Sequence, residues 1–217
     1  MQRTELIPPQ FREGAERMAE AFRHVDQVIV AAHVNPDGDA AGAVAAAGHI
    51  LRSMGKEFML YAQPGLPGYL DFFSTPGFVH TTLEHPPFKP RCAVLLDCGE
   101  PERLGRELAG RLPDLQTLNI DHHLGGNGMG SVANWVEPQA AATAQLMAVW
   151  AYSCTLPPSV KAVRSAPSTA SCSRYSVTYR YRKVAACWRV TVPSGWKVVA
   201  VMPLAMPRSS AQATASA

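Results

Sequence analysis

Three short apolar runs, each followed at once by acidic or histidine residues, constrain the fold of this chain more than any other feature. The runs cover residues 27–32, 91–96 and 116–120, and they are rich in β-branched or leucine side chains. Runs of this length and composition are typical of strands that are buried on both faces of a parallel sheet. We therefore predict that all three lie in one such sheet.

Helical patterns lie between these runs. Residues 40–54 have the composition of a helix with Gly55 as its C-cap, a shorter pattern covers residues 102–111, and an N-terminal helix is expected at residues 11–24. A further strand is predicted at residues 57–62. Strands that alternate with helices predict an α/β fold, with a mainly parallel sheet and helices on both of its faces.

The polar residues that follow the three strands are expected to meet. In an open parallel sheet, ligands bind at the carboxyl ends of the strands, and consecutive strands bring their ends to the same edge. The candidate site residues are the following: His33, Asp37, Asp39, Asp97, Asp121, His122 and His123.

A metal site would explain why so many carboxylates gather at one place. Crowded carboxylates resist ionisation unless a cation lies among them. Carboxylate oxygens mixed with imidazole nitrogens suit manganese, iron(II), cobalt or zinc, whereas an all-oxygen set favours magnesium or calcium. An aspartate that bridges two ions would hold them about 3.5–4 Å apart, the separation used in the hydrolysis of phosphate esters.

Each segment also has a simpler interpretation when it is taken alone. The stretch NPDGD at residues 35–39 reads as an ordinary turn, in which Pro36 and Gly38 set the backbone and the aspartates face water. Asp97 could cap a short helix that begins near Pro101. The sequence Asp-His-His is short enough to arise by chance. The metal-site hypothesis depends on all three segments following apolar runs in one sheet.

The charge of the chain is divided unevenly. Glu137 is the last acidic residue, so all 17 acidic residues and 11 of the 20 basic residues lie at or before it, while nine basic residues follow. A folded domain draws about a quarter of its residues from Asp, Glu, Lys and Arg, so 80 positions without a carboxylate are unusual. We therefore expect residues 1–158 to form the folded domain. Residues 159–217 are expected to be an irregular basic tail, disordered or poorly folded.

Cysteine usage and hydropathy bear on the compartment. The five cysteines are odd in number and form no Cys-x-x-Cys pair, which argues against a disulfide framework or a zinc knuckle. No apolar run is long enough for a membrane span, and residues 1–14 do not resemble a signal peptide. These features favour the cytoplasm, with no membrane partner.

Four stretches, in this order and spacing, resemble the DHH phosphoesterases, which are named for an Asp-His-His motif. They read HVNPDGDAAG, LLDCGEPERLG, NIDHHLGG and AAATAQL, and the resemblance extends from about residue 10 to about residue 158. The greatest likeness is to the bacterial branch often called nanoRNases. Those proteins degrade very short RNAs and dephosphorylate 3′-phosphoadenosine 5′-phosphate.

The resemblance implies a role for each candidate residue. His33 and Asp37 match ligands of one metal ion, Asp39 and His122 match ligands of a second, and Asp97 matches the bridge between them. His123 matches the histidine that contacts the scissile phosphate, and Asp121 matches its orienting carboxylate. Two manganese ions are expected, although other divalent ions would fit, and the implied substrate is a short oligonucleotide or nucleotide phosphate. A homodimer is left open.

The sequence departs from the family after residue 158. Family members carry a further metal-binding aspartate 25 to 35 residues after the threonine that Thr143 matches, but residues 168–178 read STASCSRYSVT. The Gly-Gly-Gly-His signature of the family's second domain is also missing. Translation of a GC-rich gene in a wrong frame would produce such a tail. The alternative is a real basic, aromatic-interleaved segment that contacts nucleic acid.

Two functional hypotheses therefore stand. In the first, the chain is a metal-dependent phosphoesterase whose turnover is impaired as the sequence is written. In the second, it is a non-catalytic remnant that binds a metal, or that binds nucleic acid through its basic tail.

Overall fold

Six parallel strands form the centre of the protein, in the order β3-β2-β1-β4-β5-β6. The computed structural model describes residues 7–70, 72, 74–126 and 128–154, together with three strands within residues 177–203. The strands of the parallel sheet are listed here in chain order: β1 (Val28–Ala32), β2 (Phe58–Tyr61), β3 (Val79–His80), β4 (Cys92–Leu96), β5 (Gln116–Asp121) and β6 (Ala133–Val136).

Both faces of the sheet are covered, as predicted. Three long helices, α1 (Pro9–His24), α2 (Gly38–Ser53) and α4 (Thr143–Cys154), share one apolar cluster with the strand residues of one face. On the other face, a second cluster combines strand residues with Leu83, Leu104 and Leu108. Leu104 and Leu108 belong to a 3-10 helix (Pro101–Leu104) and to the single-turn helix α3 (Arg106–Ala109).

The strand order places a crevice between β1 and β4. The chain runs from β1 outwards to β2 and β3, then returns to β4 on the other side of β1. The connections that follow β1 and β4 therefore run in opposite directions, and this opens a gap outside the carboxyl ends of the two strands. Ala32 pairs with Leu96 at this edge, so the residues that follow the two strands are neighbours.

The fold class predicted from the sequence is confirmed, and most differences in detail lie at element ends. The pattern at residues 102–111 is divided into two short pieces, because Gly105 has φ +82 and interrupts the helix. Helix α4 begins at Thr143, within the stretch AAATAQL. Strands β3 and β6 were not predicted, since a two-residue strand and the stretch ANWV give little periodicity.

The structure differs from the expectation of an irregular segment after residue 158. An antiparallel sheet of three strands, in the order β7-β8-β9, is present there. These strands are β7 (Val177–Arg182), β8 (Ala185–Thr191) and β9 (Lys197–Pro203). They are rich in valine, threonine and aromatic residues, which favour extended backbone. The predicted break at residue 158 lies outside the described residues, and the boundary stays a prediction.

Within the described part of the chain, no helix combines the length and the apolar character that crossing a membrane would require.

Candidate active site

Asp97 lies at the centre of the candidate site, in the crevice between β1 and β4. It directly follows β4, its side chain is only 3% exposed, and its backbone adopts φ +56. Aspartate tolerates this left-handed conformation better than most residues. The backbone N–H of Asp97 donates to the carbonyl of Ile120 at 3.0 Å, which anchors the turn to β5.

The two carboxylate oxygens of Asp97 face two different sets of side chains. Oδ2 lies 3.7 Å from Nε2 of His33, on the side of β1. Oδ1 lies 3.6 Å from Nε2 of His122 and 3.7 Å from Nδ1 of His123, on the side of β5. Asp97 therefore connects the residues that follow β1 with those that follow β5.

His33 and His122 present the same ring nitrogen to the site. Nδ1 of His33 lies 2.9 Å from the carbonyl oxygen of Val34, and Nδ1 of His122 lies 3.3 Å from that of Ala140. A carbonyl oxygen can only accept, so in each neutral ring Nδ1 carries the hydrogen and Nε2 keeps its lone pair. Both rings thus aim a free lone pair at Asp97, the arrangement that metal-binding histidines use.

Asp37 and Asp39 each accept hydrogen bonds from the start of a helix. Oδ1 of Asp37 accepts from the N–H groups of Asp39 and Ala40, both at 3.0 Å, and caps α2. The Asp39 carboxylate accepts from the N–H groups of Thr143 and Ala144 at the start of α4. Oδ2 of Asp39 also lies 3.5 Å from Nε2 of His122. The turn interpretation, in which the aspartates face water, therefore holds for the Asp37 side chain, which is 65% exposed, but not for that of Asp39, which is 13% exposed and lies at the site.

His123 is held by Asp121 beneath the site. Nδ1 of His123 lies 2.7 Å from Oδ1 of Asp121, which is fully buried, while the His123 side chain is 42% exposed. Asp121 Oδ1 also accepts from the backbone N–H of His122 at 2.8 Å. Because an ionised carboxylate only accepts, Nδ1 of His123 is the donor and its Nε2 is the nitrogen left for other partners.

Two glycines lie beside the other oxygen of Asp121. A Cβ atom added to Gly99 would lie 3.2 Å from Asp121 Oδ2, and one added to Gly126 would lie 3.6 Å from the same atom. Among the described residues, no hydrogen-bond donor reaches this buried oxygen. Gly99 therefore lets the loop after β4 approach the Asp121 carboxylate closely, whereas the distance at Gly126 is that of an ordinary contact.

The pKa values of the site residues are shifted in opposite directions. Burial raises the pKa of Asp39 to about 6, and the nearby Asp97 charge acts in the same direction. Burial also acts to raise the pKa of Asp97. The hydrogen bonds from His33 and Thr143, together with the nearby His122 and His123, outweigh burial, so the pKa of Asp97 is lowered. The Asp97 carboxylate raises the pKa of His33, although burial opposes the change.

The donor set fits a divalent metal ion. Two groups of three side chains bring their candidate ligand atoms within 4.8 Å of one another, and Asp97 belongs to both. The first group is His33, Asp37 and Asp97, and the second is Asp97, His122 and His123. Mixed carboxylate and imidazole donors of this kind could hold manganese, iron, cobalt or zinc.

All seven residues predicted from the sequence lie at this edge of the sheet, but their supporting residues were not predicted. Asn119 is completely buried on β5, and its Nδ2 donates to the carbonyls of Leu95 and Cys98 at 3.0 and 3.1 Å. Its Oδ1 accepts from the N–H of Met129. Asn119 thereby fixes the turn that carries Asp97. The sequence feature that could have indicated this role is an asparagine inside an apolar run.

Thr143 is the second supporting residue whose role the sequence did not indicate. Its hydroxyl donates to Oδ1 of Asp97 at 2.9 Å, and its side chain is completely buried. Asp97 therefore contacts α4, not the short helix near Pro101 that it was alternatively expected to cap. The window at residues 168–176 that lacks the further aspartate lies outside the described residues.

The chain is similar to known proteins in sequence and in fold. The chain is 33% identical over 141 residues to the bifunctional oligoribonuclease and PAP phosphatase NrnA of Thermus thermophilus, a match that covers 64% of this chain and 41% of the relative. The chain thus spans less than half the length of that relative. The fold is similar to an exopolyphosphatase-related protein of Bacteroides fragilis, with a TM-score of 0.57 and 19% identity, over 66% of this chain and 44% of that one.

The family model for the N-terminal domain of the DHH family matches residues 27–166, a range that contains all seven site residues, β1 to β6 and α4. The chain therefore belongs to the DHH family.

Proposed function

We propose that this chain carries the metal centre of a phosphoesterase that acts on short oligonucleotides or nucleotide phosphates. The observation that carries the proposal is the position of Asp97, whose two oxygens face His33 on one side and His122 on the other. The substrate class is supported by the name of the Thermus thermophilus relative, which describes an oligoribonuclease and a PAP phosphatase.

The residues present would hold two divalent ions, with manganese the first candidate. His33, Asp37 and Asp97 would hold one, and Asp39, His122 and Asp97 the other. Asp39 is a better candidate than His123 for the second ion, because the ring nitrogen of His123 that lies 3.7 Å from Asp97 is Nδ1, which already donates to Asp121 at 2.7 Å. Such ions, when bound, lower the pKa of a water molecule and neutralise the charge of a phosphoryl group.

His123 is the residue proposed to contact the scissile phosphate. Its ring is half-exposed, and its Nε2 is the nitrogen that Asp121 leaves unused. The Asp121 carboxylate accepts from Nδ1 at 2.7 Å and orients the ring, as carboxylates do for histidines in other hydrolytic sites. Protonated His123 would donate a hydrogen bond to a phosphoryl oxygen and help to balance its developing charge.

We further propose that turnover by this chain is weak. The resemblance implies one more metal-binding aspartate, and residues 168–178, where it would lie, contain no Asp or Glu. A site with one ligand fewer holds its ion less tightly. The competing hypothesis, a non-catalytic remnant, rests on the same observation.

The test is hydrolysis of a dinucleotide in the presence of Mn²⁺, combined with calorimetric titration of the ion. We expect two Mn²⁺ sites with measurable hydrolysis, and a loss of about 100-fold or more in Asp97→Ala, since even residues that only support a metal ligand are worth 10–100-fold. Asp114→Ala is the matched control, because Asp114 is an exposed carboxylate next to the opposite end of β5.

Hydrolysis that survives Asp97→Ala unchanged would show that the site is assigned wrongly. One weak Mn²⁺ site without hydrolysis would favour the remnant.

A further inference from the structure

The first turn of α4 contacts two of the candidate metal ligands, although each belongs to a distant part of the chain. Thr143 and Ala144 are 104 and 105 residues away from Asp39 in the sequence, and Thr143 is 46 residues away from Asp97. We propose that Thr143 is a positioning residue, which together with the N–H groups of this turn sets the Asp97 and Asp39 carboxylates in place for a metal ion. This inference rests on the metal centre proposed above.

The hydroxyl of Thr143 restrains the side chain of Asp97. The two groups form a buried hydrogen bond of 2.9 Å, in which the hydroxyl donates to Oδ1. Asp97 lies in a turn after β4, where no regular structure would hold its side chain. Threonine is well suited to the task, because branching at Cβ leaves its side chain few conformations. A carboxylate oxygen can accept from more than one partner, so Oδ1 can accept from the Thr143 hydroxyl and still bind an ion.

The backbone of the same turn restrains Asp39. The N–H of Thr143 donates to Oδ2 of Asp39 at 2.9 Å, and that of Ala144 donates to Oδ1 at 2.7 Å. The first N–H groups of a helix have no partner within the helix and need an acceptor. Because both carboxylate oxygens are used, the plane of the Asp39 carboxylate is fixed, and the start of α2 is tied to the start of α4.

The turn also reduces the electrostatic cost of bringing two carboxylates together. The start of a helix carries a partial positive charge, which stabilises nearby anions. Asp39 and Asp97 are both more than four-fifths buried, and both receive hydrogen bonds from Thr143. Their oxygens can therefore stay near the geometry that a metal ion needs before the ion binds.

The proposal is tested by Mn²⁺ titration of the full chain carrying Thr143→Val, which keeps the branched shape but removes the hydroxyl. Loss of a residue that orients a metal ligand typically weakens metal binding by about 10–100-fold. We expect a loss in that range for Thr143→Val. Thr143→Ser keeps the hydroxyl and is expected to bind Mn²⁺ nearly as tightly as the wild type.

Thr117→Val is the matched control for the loss of a buried hydroxyl. Thr117 is 4% exposed and donates to the carbonyl of Met129 at 2.8 Å, near the start of β5 and away from the candidate site. Urea unfolding without metal gives the stability of each variant. We expect Thr117→Val to lower stability but to leave Mn²⁺ affinity unchanged. If Thr143→Val does not fold, Thr143→Cys, a weak donor, should show an intermediate loss.

Equal Mn²⁺ affinity in Thr143→Val and the wild type would overturn the positioning role while leaving the metal centre intact. Equal weakening in Thr143→Val and Thr117→Val would also overturn it, because the effect would then follow stability alone. A wild-type chain that binds no Mn²⁺ would overturn the metal centre, and this inference with it.

Discussion

Among single residues, Asn119 supports the site without taking part in its chemistry. It is completely buried, and its side-chain amide makes three hydrogen bonds to the backbone: it donates to Leu95 on β4 and to Cys98 in the loop that follows, and it accepts from Met129 in a second loop. One of these loops carries Asp97 and Cys98, and the other follows the Asp-His-His segment. Since water cannot reach these backbone groups easily, they depend on Asn119 for their partners.

We predict that Asn119→Ala lowers the free energy of unfolding by about 2–4 kcal/mol, because each buried polar group left without a partner costs about 1–3 kcal/mol. Asn134→Ala is the control. Asn134 is half-buried, and among the described residues its side chain bonds to the N–H and the carbonyl of Gly130, where water can replace it. Urea denaturation of the two variants measures the difference, and equal losses would contradict the role given to Asn119.

The candidate ligands could be predicted from the sequence, whereas their supports could not. Asp97 follows an apolar run directly, so the strand that positions it is visible in the sequence. Thr143 supports Asp97 from a helix that begins 46 residues later, and no local pattern relates the two positions. Contacts of this kind depend on how α4 packs against the sheet.

At the scale of elements, α1 and β6 pack closely because of one glycine. Gly14 lies within α1, and a Cβ atom added there would overlap the indole ring of Trp135 on β6. The Trp135 side chain is 3% exposed and belongs to the same apolar cluster as the three long helices. Glycine inside a helix normally lowers the stability of that helix. Its presence at position 14 indicates that the close packing of α1 against Trp135 stabilises the protein by more than this loss.

We therefore expect Gly14→Ala to destabilise the protein by about 2 kcal/mol, the usual cost of overfilling a packed core, despite a gain of about 1 kcal/mol in helix propensity. Gly77→Ala serves as the comparison, because a Cβ atom added at Gly77 would meet nothing within 4 Å. Thermal unfolding should show a lower midpoint for the first variant and little change for the second. A stabilised Gly14→Ala protein would mean that Trp135 does not pack here.

At the scale of the whole molecule, the site couples stability to pH. Burial raises the pKa of Asp39 to about 6, above the unfolded value of 3.8, so its ionised form weakens the fold. The pKa of His33 is also raised, which makes its protonated form stabilising. Both effects favour the folded protein at acidic pH. The pKa of Asp97 is lowered, so its ionised form stabilises the fold, and this contribution is lost only when the pH falls below 3.8.

The metal-free protein should therefore unfold at a higher temperature near pH 5 than near pH 8. Mn²⁺ should stabilise it more at pH 8, because a metal ion competes with protons for carboxylate and imidazole ligands. Thermal unfolding in EDTA and in Mn²⁺ at both pH values checks this, and Asp39→Asn should flatten the pH dependence in EDTA. Unfolding curves that shift equally with Mn²⁺ at both pH values would contradict the coupling.

The α/β class, the central strands and the seven residues that gather at one edge could be predicted from the sequence alone, because buried parallel strands and the polar residues that follow them are local patterns. The residues that support that edge, and the close packing of α1 against β6, follow only from the tertiary fold. Thr143, Asn119 and Gly14 act through partners tens of residues away in the chain or through close packing. The strands β7 to β9 likewise depend on pairing between segments, which no single segment of the basic tail reveals.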